Sequence, residues 1–228
     1  MERLGTARAS VYRKDMIIKP TAITFIAIAL LIGIACGGSG EQSPSPEARI
    51  DTTAEGNLSS PILGVAPSLE QVRSALKLKL ASEVRREGEL SQLFEHAGLG
   101  GLTDSGVILL SGDEGAAVII DLARYDGEDV ATQVWEQTRR DEVESTDAPG
   151  RLLTFRQLGD RSTGRVYPPS AGNESVTTVI LVQLGRVVVA VTVLSNDPDG
   201  LNQGAESIAR TIADKVVDSG LSVARPTR

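Results

Sequence analysis

Two branched apolar runs, VTTVILVQ (176–183) and RVVVAVTVL (186–194), are joined only by Leu184 and Gly185. β-Branched side chains are stiff in helices and pack well on a pleated surface, and a glycine between two such runs signals a hairpin. The pair predicts antiparallel strands too apolar to stand in water on both faces. Pairing Gln183 with Arg186 sets Val182 opposite Val187 and Ile180 opposite Val189, a continuous branched surface that a helix must cover. On the other face Thr177, Gln183, Arg186 and Thr192 alternate with Leu181, Val188, Val179 and Ala190. That mixture predicts partial cover and makes these four polar residues the candidate binding face.

The flanking sequence supplies the covering elements. Ser68 with Gln71 three residues on is a capping-box pattern, and Leu69, Val72, Leu76, Leu80 and Val84 recur at gaps of three or four, predicting one long helix that continues through Leu90, Leu93 and Ala97 to Gly98. VILLS (107–111) and AAVIIDLA (116–123), separated by Gly112, Asp113, Glu114 and Gly115, predict a second hairpin. Asp126 is then placed to cap a helix burying Val130, Val134, Trp135 and Thr138, with Arg139 and Arg140 suiting its C-terminal dipole. LLTFRQL and a short GRVY strand precede the branched hairpin. Asp197, with Pro198 at the first helical position, opens a last helix presenting Leu201, Ala205, Ile208, Ile212 and Val216, stopping near Gly220. Helix, hairpin, helix, strands and helix in that order predict an α+β fold, a sandwich of helices on an antiparallel β-sheet.

A different chemistry governs the first sixty residues. From Thr21 to Ala35 no residue is charged, Arg13, Lys14 and Lys19 precede the run, and it ends on Cys36, the chain's single cysteine. A basic segment, a short apolar one and a small-residue boundary form the layout of a secretory signal, whereas a spanning helix needs about 20 apolar residues. A retained anchor is the second reading, because Met16, Ile17 and Ile18 extend the run past a snorkelling Lys19. Ile34, Ala35 and Cys36, with Leu30, Leu31 and Ile32 upstream, resemble the lipobox of a bacterial lipoprotein signal, in which the cysteine is lipidated and becomes the first mature residue. The resemblance implies a membrane-anchored extracytoplasmic protein with Cys36 as the lipid attachment site. Met1 and Met16 both remain as starts. The organisation expected is a signal peptide at 1–35, a lipidated Cys36 with a Gly/Ser/Pro-rich disordered tether over 36–61, one globular domain at 62–220, and a disordered tail at 221–228.

Composition narrows the function of that domain. Without residues 1–35, which hold five Lys/Arg and two Asp/Glu, the 23 basic and 30 acidic residues become 18 and 28, a net charge of −10. Such a surface repels phosphate backbones, so no nucleic-acid partner is expected. Lone Cys36 leaves no disulfide, and His96, the only histidine, has no zinc partners or supporting triad motif. No metal and no cofactor are expected. GDRSTGRV (159–166) has phosphate-loop glycine spacing but puts Arg165 and Val166 where Lys and Ser/Thr are required, and reads as a turn between strands. NDPDG (196–200) carries acids suited to calcium, but helix capping explains them.

AAVIIDLARYDGEDVATQVW, LGDRSTGRV, VILVQLGRVVVAVTVLSND and the ESIARTIADKV helix together resemble small lipoprotein domains related to the Mog1/PsbP-like sandwiches, and the sensor-like ectodomains of some bacterial kinases. The resemblance covers roughly residues 105–218. It implies a domain that binds a small ligand or an envelope protein and is not an enzyme. A hydrolase with an unrecognised site is the alternative reading.

Overall fold

The branched hairpin lies at the heart of a seven-stranded antiparallel sheet with the order β1-β2-β3-β7-β6-β5-β4. The computed structural model describes residues 60–94, 97–98, 100–144, 150–169 and 174–223. The strands are β1 (Leu80–Glu87), β2 (Leu102–Gly112), β3 (Ala117–Tyr125), β4 (Arg151–Leu152), β5 (Arg161–Tyr167), β6 (Val176–Leu184) and β7 (Val187–Ser195). Three α-helices, α1 (Leu69–Leu76), α2 (Glu128–Thr138) and α3 (Leu201–Asp218), complete the expected α+β fold.

The hairpin register differs from expectation by two residues. Leu184 pairs with Val187, Val182 with Val189 and Ile180 with Val191, so Gly185 and Arg186 make the turn. Gly185 sits at φ 53, and the same Gly185 N–H donates to the Asp160 carboxylate at 2.6 Å. A slip of two keeps every side chain on its face, because side chains alternate with a period of two. One face therefore carries Ile180, Val182, Val189 and Val191 against Leu201, Ala205, Ile208, Ile212 and Val216 of α3, the stripe read from the sequence. Val189, at 1% exposure, lies inside this layer.

The long first helix is not formed. α1 opens on the expected capping box at Ser68 and Gln71 but ends at Leu76, where Lys77 adopts a left-handed conformation at φ 57. Residues 80–87 instead pair with β2, Val84 opposite Leu109. The misleading signal was a spacing of four, since Leu76, Leu80 and Val84 share one side of a helix and also one side of a strand. α1 is held against α3 at Gly204, where an added Cβ would lie 2.5 Å from Leu76 Cδ2 and 2.8 Å from the Ala75 carbonyl oxygen.

Two further boundaries move. α2 starts at Glu128 after Gly127, with no side-chain cap, while the Asp126 N–H donates to the Gly101 carbonyl. α3 starts at Leu201 after Gly200, and Asp197 turns back to accept the Asp199 N–H at 3.0 Å. The helix ends as expected, with Gly220 left-handed at φ 68. α2 covers the second sheet face, burying Ala131, Val134 and Trp135 with Phe94, Tyr125, Leu181 and Val188.

Candidate functional site

α2 does not stop cleanly. A π-helical turn, Arg139–Val143, extends its last turn and brings Glu144 beside β5. Such wide turns are frequent at functional sites. Between this end of α2 and the β4–β5 edge lies an open groove of about 650 Å³, whose lining includes Trp135, Glu136, Arg139, Leu152, Phe155 and Arg161.

GDRSTGRV contributes a strand here rather than a turn. Only Gly159 and Asp160 bend, with Gly159 at φ 61, and Arg161–Tyr167 runs along β6. Alternation along β5 turns Arg161 and Thr163 towards α2. The Arg161 Nη1 donates to Glu136 at 2.6 Å, and its guanidinium carbon lies 5.8 Å from the Trp135 ring centroid. Arg139 lies 5.6 Å from the same centroid, donates to Glu136 at 3.0 Å, and donates also to Glu144. Glu144 in turn accepts the Thr163 hydroxyl at 3.0 Å. The bond to Glu136 pushes the Arg139 pKa above its ordinary value, aided by Glu144, so this cation is fixed.

The result is the chain's single tryptophan, 7% exposed, carrying two guanidinium groups that two glutamates hold in place. Its indole N–H has no acceptor. An aromatic surface already in contact with two cations is not open to a stacking ligand, so recognition in this groove falls to its rim: Leu152, 60% exposed, with Phe155 and the charged groups. Two hydroxyls of the groove are engaged, Ser162 accepting the Leu158 N–H and Thr163 donating to Glu144, while that of Thr154 is exposed. Among the described residues no group of three His, Cys, Asp or Glu could hold a metal ion.

Of the four polar residues expected to form a binding face, Thr177, Gln183 and Thr192 are buried at 2%, 1% and 8% exposure, and Arg186 is half-buried in the hairpin turn. Gln183 donates to Thr132 of α2 at 2.8 Å. The four do not come together as an open patch, because α2 and the segment before β2 cover that face, and none of them lines the groove. Cys36 and His96 lie outside the described residues, as do the stretch expected to be a signal peptide (1–35), the expected tether (36–61) up to residue 59 and the expected tail (221–228) from residue 224. Among the described residues no helix is long and apolar enough to cross a membrane.

One buried carboxyl stands apart from the groove. Asp121 of β3, fully buried, accepts the Ser91 N–H at 2.6 Å and the Ser91 hydroxyl at 2.7 Å. Loss of hydration pushes its pKa up to about 6 against the pull of those two bonds. Burial also raises the pKa of Tyr125, whose hydroxyl has no hydrogen-bond partner.

The groove left one trace in the sequence. In a chain with more acids than bases, residues 148–167 hold four arginines and a single aspartate. Comparison with family models and with curated proteins gives no match. Among solved structures the chain is similar to the extracellular domain of PknH from Mycobacterium tuberculosis, at 12% identity and a TM-score of 0.49, with 68% of this chain and 94% of that one covered. It is similar also to a GTP binding regulator from Thermotoga maritima, at 12% identity and a TM-score of 0.33, with 66% and 90% covered. At these scores neither likeness bears on what the groove holds.

Proposed function

We propose that this chain is a non-enzymatic binding module, carried on the extracytoplasmic side of a membrane by a lipid on Cys36, that takes its ligand in the groove beside Trp135. The observation that carries the binding reading is the groove itself. Its cations are held by Glu136 and Glu144, the hydroxyls of Ser162 and Thr163 are engaged, and its rim presents Leu152 and Phe155. Fixed charges and an exposed apolar rim suit recognition by shape and charge. The anchoring reading is supported by the leader, with its basic residues, fifteen uncharged residues and terminal Cys36.

The test uses the full-length chain purified in mild detergent from its own host. Native mass spectrometry is read for a retained ligand, and Trp135 emission is compared before and after the ligand is stripped by unfolding and refolding. A retained mass whose removal shifts the emission of this single tryptophan supports the proposal. A preparation with no retained mass and identical emission overturns it.

A further inference from the structure

The two edges of the sheet are built differently. β1 carries charges of both signs that pair with one another or with a close neighbour, Arg85 with Glu83 at 2.5 Å and Arg86 with Glu89 at 3.2 Å. Self-paired charges are a common way to blunt an edge strand. At the opposite edge β4 is only Arg151–Leu152, and its continuation follows β5 through the Leu153 N–H, which donates to the Gly164 carbonyl at 2.9 Å. In an antiparallel ladder successive residues turn their backbone groups inward and outward by turns. With Leu153 bonded inward, the N–H groups of Leu152 and Thr154 point to the open side.

The charges of this edge are of one sign. Arg151 and Arg156 are exposed, and among the described residues neither has an ion-pair partner. They stand five residues apart, about 17 Å along an extended chain, with exposed Leu152 between them. A second copy of the chain pairing here would set arginine near arginine, which like-charge repulsion disfavours. An acidic strand meets the opposite situation.

We infer that the β4 edge is a strand-addition site for an extended acidic segment of a partner protein, whose acids face Arg151 and Arg156 and whose apolar residues meet Leu152. Backbone bonds to Leu152 and Thr154 hold such a segment, and the arginines select its charge. This inference rests on the reading of the domain as a binding module and names the class of partner.

The probe is the fluorescein-labelled peptide Glu-Glu-Thr-Val-Thr-Val-Glu-Glu, followed by fluorescence anisotropy with the full-length chain in mild nonionic detergent. The expected result is saturable binding that weakens about tenfold or more in the Arg151→Glu, Arg156→Glu double variant and in Thr154→Pro. Both sites are exposed, and the proline removes only an outward N–H, so both variants should melt with wild type. A version of the peptide N-methylated at its valines, which needs no protein variant, should bind equally poorly. No saturable binding, or binding indifferent to both Thr154→Pro and peptide methylation, overturns strand addition. Failure of the peptide together with sedimentation on phosphatidylglycerol vesicles that is weaker for the Arg151→Glu, Arg156→Glu variant than for wild type, beyond the anchor-driven binding both show to phosphatidylcholine vesicles, overturns it too, and assigns the arginines to a lipid surface. If the peptide fails while a ligand is retained beside Trp135, the module reading stands and this inference falls; if both fail, both fall.

Discussion

The Asp121 carboxylate receives both the backbone N–H and the hydroxyl of Ser91 at 2.6 and 2.7 Å, and so fastens the segment before β2 to the middle of the sheet. Its pKa, raised from 3.8 to about 6 by burial, makes that clasp dependent on pH. A carboxyl whose pKa is higher in the folded than in the unfolded chain stabilises the fold fully below the unfolded value. That contribution is lost as pH rises through the folded one. The window is thus about pH 4 to 6, and the loss is on the order of 2–3 kcal/mol. Urea unfolding of Asp121→Asn, which keeps an acceptor for the Ser91 N–H, should show a flatter dependence across that window and at least wild-type stability at pH 7.

Val189 is 1% exposed between the sheet and α3. Val189→Asp places an unpaired carboxylate there, at a cost of roughly several kcal/mol that approaches the whole stability of a typical domain. Circular dichroism melts should show no cooperative transition. A melting point within a few degrees of wild type would place this residue at the surface.

Gly204 sets two helix effects against each other. Alanine improves helix propensity by about 1 kcal/mol, yet its Cβ would stand 2.8 Å from the Ala75 backbone oxygen, which cannot step aside as a side chain can. Overpacking of this kind costs about 1–3 kcal/mol, so Gly204→Ala should destabilise the domain in chemical denaturation.

Arg161 is half exposed where it meets Glu136, and an ion pair of that exposure adds at most about 1 kcal/mol. Arg161→Ala should leave the melting point nearly unchanged. Its effect should be optical: with one guanidinium gone from the Trp135 ring, water reaches the indole and the emission shifts to the red. Unshifted emission would show that Arg161 does not shield the ring in solution.

For Cys36 the expected outcome is a mature N-terminus at that residue carrying lipid, read by mass spectrometry of membrane-extracted protein, with Cys36→Ser left uncleaved. Several acyl chains are needed, because one holds a protein only marginally. An unlipidated wild-type protein beginning at Met1 or Met16 would make the apolar run a retained anchor.

The sheet core and the last helix were legible because both rest on long unbroken patterns. The valine runs name their own strand type, and Leu201, Ala205, Ile208, Ile212 and Val216 repeat over four turns. β1 was not legible, since Leu76, Leu80 and Val84 fit both periods and pairing with β2 decides between them. The cover over Thr177, Gln183 and Thr192 was hidden for a related reason: polar residues in a strand report exposure only when no helix packs above them, and α2 does. The groove depends on Trp135, Arg139, Glu144 and Arg161 meeting from separate elements, so only its excess of arginine could be read in advance.

The strand order has a consequence for how the chain reaches this state. β1, β2 and β3 follow one another as neighbours, and so do β4, β5, β6 and β7, but the two meanders meet only where β3 pairs with β7, Ala117 opposite Leu194. Each half closes through connections of at most 14 residues, while this seam joins residues far apart in sequence and is entropically the slower step. During synthesis the first meander waits, its β3 edge unpaired and Val118, Ile120 and Leu122 without the helix that shares their core, until nearly the last residues of the domain emerge. A chain wired in this way stays incomplete for as long as it is being made, its first meander exposed until the last strand and helix arrive.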